Sequence, residues 1–370
     1  MQNSNSQFHR SLQRFMAEFD PSPRMIRHRA ILEFINTRQL SIEDRLKLEA
    51  LFSFYLGAID SKVIVLYNRS QETLLKLPYS TRFNDKGRIY EKIDQLYQIF
   101  ENAIEKHVDK RGKGDAVFLT LTLDPKNFRN VMHASKEAPK ALNRFFSFIK
   151  KRLKSEYEKL KIKCKKEKLK KEVRKKYISR LKKLKKLVKK LEYINVVEFQ
   201  RNGIIHFHIV IFGIDWLIPQ KELSKIWEKY GMGKIVHIYR LKFSDNEGDF
   251  IFYKNKPKNT KTNSITDYLT KYLKKAFYDK SELSLFWLTN KRFFTYSRSL
   301  LKKEEKVKPK VKLSRWEFIG VFDTDIFDRY TDEEFIEFFV YNIRRYRRRI
   351  KFTPFCPKGS NIVVHVWDYV

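Results

Sequence analysis

Two histidines separated by one residue, His206-Phe207-His208, lie in the apolar run 204–212. On an extended strand alternate side chains share a face, so both imidazoles project together while Phe207 faces the other way. Two neutral imidazoles on one face can bind a divalent cation. Core histidines satisfied by hydrogen bonds would produce the same spacing. Glu198, in the preceding apolar run 194–201, offers a carboxylate. Two imidazoles and one carboxylate make a site with open positions for phosphate oxygens and water. Register decides whether Glu198 joins them. A two-residue turn at Asn202-Gly203 puts Glu198 opposite Phe207, on the wrong face. A three-residue loop, Arg201-Asn202-Gly203 with Gly203 left-handed, puts it opposite His206. The three-residue loop is the expectation. An isolated glutamate in an apolar strand has little structural use, because an unpaired buried carboxylate is costly.

A second group of reactive side chains lies at Tyr268, Lys271, Tyr272 and Lys275, a repeated Tyr-x-x-Lys. The two tyrosines are four residues apart and share one helix face. Ile265, Leu269, Leu273 and Ala276 form the adjacent apolar stripe, so the hydroxyls border the core where they can reach a cleft. Each tyrosine has a lysine three residues on; a nearby ammonium favours phenolate and holds phosphate. Aromatic edges of a buried helix are the alternative explanation of the pair.

These residues need elements to hold them. The pattern predicts helices through residues 1–110, with apolar stripes at 27–36, 42–56 and 93–104, hence a small all-helical N-terminal domain over 1–112. Gly112 and Gly114 mark a linker. A strand follows at 117–123, closed by Asp124-Pro125, and Pro139 reads as a helix start. From there to Gly203 there is no Gly or Pro, and helical spacing continues across a lysine-rich stretch. A single helix of 50 residues would run roughly 75 Å. Two antiparallel helices broken at about 164–170 return the chain to the sheet. Strands are expected at 194–201, 204–212, 234–241, 292–296, 316–322 and 362–366, helices at 220–230, 265–277 and 331–348, and a polar loop at 244–262. The fold class expected is α+β: an antiparallel sheet flanked by helices over 113–300, interrupted by a basic helical hairpin at 150–192, with an α/β extension over 301–370.

Charge narrows the partners. The chain of 370 residues has 79 Lys+Arg against 43 Asp+Glu, a net +36, which makes a polyanion the expected partner. With 42% hydrophobic and 15% aromatic residues it is no disordered basic tail. Residues 150–192 hold 22 Lys+Arg and 5 Asp+Glu, so +17 of the excess sits in that stretch. Phosphate backbone is its natural counterion, and the stretch reads as a nonspecific clamp holding DNA beside the site; a solvated helix face is the plainer reading. A smaller cluster runs from Arg344 to Lys351. The two cysteines, Cys164 and Cys356, are too few for a disulfide framework and fit a reducing cytoplasm. No signal peptide and no membrane span are expected, since residues 1–6 are polar and no 18-residue apolar run occurs.

Taken in order, the motifs resemble the HUH endonuclease superfamily, and within it the two-tyrosine rolling-circle replication initiators of plasmids and small phages. The similarity rests on Phe118–Pro125, on His206–His208 and on Tyr268–Lys275, with 290–298 also similar, and covers about 116–300. The resemblance implies an antiparallel sheet with a metal site on one face and the tyrosine helix alongside. It implies Glu198, His206 and His208 as ligands of Mg²⁺ or Mn²⁺, with the counterpart of Glu198 varying among relatives. It implies Tyr268 or Tyr272 as nucleophile, Tyr268 preferred, and Lys271 and Lys275 offsetting phosphate charge. The implied reaction is nicking of single-stranded origin DNA through a 5′-phosphotyrosine link, leaving a 3′-OH for a host polymerase, and later rejoining. No Gly-x4-Gly-Lys-Ser/Thr loop occurs, so unwinding would need a host helicase. A two-tyrosine transposase shares this chemistry, and a non-enzymatic basic DNA-binding protein is the reading from a different class.

Overall fold

A computed structural model of the chain describes residues 23–166, 171–216, 218–258, 260–301, 316–341, 351–355 and 364–368. The main elements are α1 (Pro23–Phe34), α2 (Ile42–Asp60), β1 (Lys62–Asn68), β2 (Thr73–Pro78), α3 (Lys86–His107), β3 (Asp115–Thr122), α4 (Val131–Lys166) and α5 (Lys171–Lys189). They continue with β4 (Tyr193–Phe199), β5 (Ile205–Phe212), α6 (Gln220–Lys229), β6 (Val236–Ser244), β7 (Asp249–Phe252), α7 (Ile265–Tyr278), α8 (Lys280–Thr289) and β8 (Phe294–Tyr296). β9 (Trp316–Asp323), β10 (Lys351–Phe355) and β11 (Val364–Asp368) complete them. The class is α+β. The elements gather into two units, one made of residues 27–52 and 87–302, the other containing the strands of 53–86 and of the C-terminal region.

The larger unit is built on a six-stranded antiparallel sheet of order β7-β6-β3-β5-β4-β8. Its central strands are apolar on both faces, as a sheet covered by helices on both sides requires. Pairing fixes the faces. Thr122 lies opposite His206 and Thr120 opposite His208, while Glu198 lies opposite His206 from the other side. His237 on β6 pairs with Thr120 and joins the same face. That face is covered by α7, whose Tyr268 ring meets Phe118 and Phe252, each at 5.4 Å between centroids, and further along by α3 through Phe100 on Phe212. The opposite face takes α4 and α6. Phe146 packs on Tyr193 at 4.5 Å, and Phe145 meets Trp227 at 5.5 Å. The Trp227 indole N–H donates to the Thr122 carbonyl at 2.9 Å, which pins α6 to β3.

The expected three-residue loop joins β4 to β5. The Gln200 N–H donates to the Ile204 carbonyl at 2.8 Å, and the Gly203 N–H donates to the Gln200 carbonyl at 2.8 Å. Gly203 has φ +80°, the left-handed position at which such a loop needs glycine. The Leu40 N–H donates to the Asn202 carbonyl, and a Cβ on Gly203 would come within 2.7 Å of Leu40 Cδ1.

The basic stretch is two helices. α4 ends at Lys166 and α5 begins at Lys171, and Arg180 on α5 pairs with Glu156 on α4 at 3.0 Å. Pro139 lies inside α4 and does not open it. The start is eight residues earlier, where the Asn130 side chain accepts the His133 N–H at 2.7 Å as an N-cap.

The smaller unit overturns the all-helical N-terminal domain. Val63, Ile64 and Val65 are β-branched and favour a strand, so β1 and β2 form a hairpin between α2 and α3. β1 pairs antiparallel with β9, and Val65, Tyr67, Ile319, Phe335, Ile336 and Val340 bury a common core. Boundaries at 112 and 301 would part β1 from its sheet partner β9, so they do not describe this unit. The segment expected as a helix at 331–348 opens with a Thr331 capping box and widens into a π-helix at Ile336–Tyr341. Arg344, Arg345, Arg347, Arg348, Arg349 and Cys356 lie outside the described residues. Within the expected polar loop the structure has β7, and α8 occupies a stretch given no element.

Gly203→Ala tests the hairpin. The left-handed backbone and the Leu40 contact are expected to lower stability by about 2 kcal/mol in urea denaturation. An unchanged midpoint and slope would contradict the loop as described.

Candidate metal and tyrosine site

The β4–β5 register sets one carboxylate between two imidazoles. Glu198 Oε2 is 2.8 Å from His208 Nε2 and 3.8 Å from His206 Nδ1. One ligand atom from each of the three residues lies within 4.8 Å of the others. Thr122 Oγ1 is 3.0 Å from His206 Nε2, so the strand opposite fixes that ring and leaves Nδ1 facing Glu198. His208 is almost fully buried, and its Nδ1 has no hydrogen-bond partner among the described residues.

The tyrosines are aimed here by the seating of α7. Asp249, buried on β7, accepts the Ser264 hydroxyl at 2.5 Å and the Thr266 N–H and hydroxyl, each at 3.0 Å. Ser264 in turn caps the helix by accepting the Asp267 N–H at 3.1 Å. With the first turn tied to the sheet edge, Tyr268 and Tyr272 lie over the histidines. The Tyr272 ring stacks on His208 with centroids 4.0 Å apart and planes 16° from parallel. Its hydroxyl donates to Tyr268 Oη at 2.7 Å.

The lysines divide. Lys275 donates to Glu198 Oε1 at 2.9 Å and sits 3.6 Å from Glu282 Oε2. Lys271 is exposed at the rim, its ammonium 5.8 Å from the centre of the Tyr272 ring. The structure thus brings Glu198, His206, His208, Tyr268, Tyr272 and Lys275 together, with Lys271 outside.

Glu282, Thr122, Asp249 and His237 belong to this neighbourhood and were not foreseen as site residues. Glu282 is 1% exposed and accepts the Phe199 N–H at 2.7 Å. It lies seven residues after Lys275 but on the next helix, so helical spacing gives no signal for it. Thr122 was visible in the first strand motif, but only the pairing reveals that its hydroxyl meets His206.

Residues 91–281, more than half of the chain, match the family described as the Domain of unknown function (DUF8148) C-terminal domain. The chain belongs to this family. The matched span contains the three candidate ligands and both tyrosines and ends one residue before Glu282. A curated relative, "Uncharacterized protein 1" of Halorubrum pleomorphic virus 1, is 23% identical over 281 residues. That alignment covers 67% of this DUF8148 chain and 47% of the relative, so the chain spans about half the relative's length. No solved structure matches the chain.

The electrostatics of this DUF8148 site suit a cation. Burial alone would raise the Glu198 pKa, but the His208 bond and the Lys275 ammonium hold it down to about 2, so it is ionised. Burial, with His208 as a further cause, lowers His206 to about 3, so its imidazole is neutral. An ionised carboxylate and a neutral imidazole are the forms that bind metal. The unpartnered Nδ1 of His208 is a further donor that this arrangement leaves over. All three residues fit a divalent ion by donor type, and Glu198 and His206 also by protonation. Burial raises the Tyr268 and Tyr272 pKa values, so both phenols are neutral at rest. Burial opposes charge on Lys275, but Glu282 and Glu198 override it and raise its pKa. Burial pushes Glu282 up to about 7. Among the described residues no helix is long and apolar enough to cross a membrane.

Acid stability follows from His206. The unfolded chain takes a proton below about pH 6.5, which the folded chain refuses down to about 3. Stability therefore falls on acidification through that window, by up to about 1.4 kcal/mol per pH unit from this group. In chelator-treated protein, His206→Asn is expected to flatten the pH dependence of urea stability between about pH 6.5 and 4.5. Equal slopes for the two proteins would refute the burial of a neutral His206.

Proposed function

We propose that this chain is a metal-dependent DNA strand transferase of the two-tyrosine HUH type, which nicks and rejoins single-stranded origin DNA to start rolling-circle replication. The reading rests on one observation: a tyrosine pair sharing a hydroxyl hydrogen bond lies stacked over a two-histidine, one-carboxylate cluster. The strand motif at Phe118–Pro125 and the lysine spacing after each tyrosine support it.

Glu198, His206 and His208 would hold the ion, Mg²⁺ or Mn²⁺, which when bound supplies positive charge to polarise the scissile phosphate. The Tyr268 oxygen forms a bond to phosphorus as the P–O3′ bond breaks. The phenolic proton is lost to solvent and the departing 3′ oxygen gains one, giving a 5′-phosphotyrosine and a free 3′-OH. One ester bond replaces another, so the step runs in reverse to join ends. Tyr272 donates to the Tyr268 oxygen, which favours charge on Tyr268 and makes it the first nucleophile. Lys275 neutralises Glu198 at rest and faces Glu282 as an alternative partner, so it can release the carboxylate without leaving the site. Lys271, at the rim, is available to phosphate oxygens.

A non-enzymatic DNA-binding protein is the competing reading. It is favoured by the closed chain Lys275–Glu198–His208, in which each group already satisfies the next. Incubation with a pool of randomised single-stranded oligonucleotides, labelled at the 3′ end, separates the two. With Mn²⁺ the expected product is a detergent-stable labelled adduct, absent in EDTA, lost in Tyr268→Phe/Tyr272→Phe and in His206→Ala/His208→Ala. A folded protein that binds the pool but yields no adduct would leave only the binding role.

A further inference from the structure

The basic hairpin is not where a clamp beside the site would be. α4 runs over the sheet face opposite the tyrosines, and its last buried residue is Leu153; on α5 the first is Leu184. Residues 154–166 and 171–183 therefore project as a two-helix arm, about 20 Å long for thirteen residues a side. Arg180 bonds Asp215 at 2.6 Å and Lys183 bonds Asp115 at 2.8 Å, which ties the root of the arm to the start of β3. Thr122, which touches His206, is at the other end of that strand, roughly 23 Å away by the rise of a strand. The arm thus leaves the sheet from the far end and the far face relative to the tyrosine pair.

The arm carries 15 Lys+Arg and four acids between Lys154 and Lys183, a net +11. Glu156 among those acids is already matched by Arg180. The half-buried residues Tyr157, Leu160, Tyr177 and Leu181 lie at helical spacing on the two helices, while Lys154, Lys159, Lys165, Lys175, Lys176 and Lys182 are exposed. Exposed apolar residues are isolated ones, Ile162, Val173 and Ile178. Charge spread around a rod, without a continuous apolar stripe, suits a phosphate backbone better than insertion into a lipid surface.

We infer that the helical segments 154–166 and 171–183 form a sequence-independent arm that binds the phosphates of duplex DNA at a place separate from the tyrosine cleft. Duplex DNA presents about one charge per 1.7 Å, so a 20 Å arm spans enough phosphates for its six outward lysines to act together. The inference does not depend on the nicking reading: polyanion binding by the arm stands or falls whether or not the tyrosines react.

The test replaces Lys154, Lys159, Lys165, Lys175, Lys176 and Lys182 with Gln in the full chain, with the same six changed to Arg as a charge-keeping control. Binding to a fluorescent 30-base-pair duplex of scrambled sequence is followed by anisotropy from about 50 to 300 mM NaCl. Loss of six phosphate contacts is expected to reduce the slope of log K against log salt by about 5. The Arg variant keeps the slope, two unrelated duplexes behave alike, and adduct formation on short single strands is unaffected. An unchanged slope in the Gln variant overturns the inference. So does a Gln variant that loses binding to phosphatidylserine vesicles while keeping its duplex affinity and slope.

Discussion

The arrangement depends on the pairing of Glu198 with His206 across β4 and β5. A slip of one residue would put the carboxylate opposite Phe207, into an apolar layer where no imidazole or ammonium reaches it. The three-residue loop prevents the slip, and Gly203 permits the loop because its backbone is left-handed where a Cβ would meet Leu40. Once register is set, alternation along β3, β4, β5 and β6 delivers Thr122, Glu198, His206, His208 and His237 to one face. The tyrosine helix then needs only to be docked, and the buried Asp249 network at its first turn docks it.

Charge in the cleft is balanced rather than free. Glu198 sits between a histidine and Lys275, and Lys275 sits between two carboxylates. A cation arriving at Glu198 competes with the ammonium, and Glu282 gives that ammonium somewhere to go. The tyrosines are neutral in this state because burial raises both. In the proposed reaction, ionising either phenol would need added positive charge nearby, such as a metal ion or Lys271 would bring.

Much of the site was legible because strand geometry is strict. His-x-His within an apolar run, a glutamate eight residues before the first histidine, and an Asn-Gly between them leave two registers, one of which is chemically useful. The tyrosine helix follows from helical periodicity in the same way, and the division into α4 and α5 follows from the need to return the chain to the sheet. What was not legible depends on tertiary partners. β1 and β2 lie between two long helical patterns, and their partner β9 is some 250 residues away. β7 is four residues long and polar at its start, where Asp249 is buried only because α7 consumes its oxygens. Glu282 reads as a first-turn acid of α8; its burial comes from the Phe199 backbone, 83 residues away, and from Lys275 on the preceding helix. Pro139 misled because a proline in mid-helix is uncommon, while the Asn130 cap that starts α4 is a weaker signal.

Among the described residues, basic charge is found as a few cations at the cleft and as an arm at the far end of the sheet. Glu198, His206 and His208 are placed to hold a divalent ion under the tyrosine pair. Crystals soaked in Mn²⁺ and measured above and below the manganese absorption edge test it most directly. The expected result is an anomalous peak bounded by the Glu198 carboxylate and the two imidazoles, with Lys275 turned toward Glu282. No peak there, with Lys275 still bonded to Glu198, would contradict it.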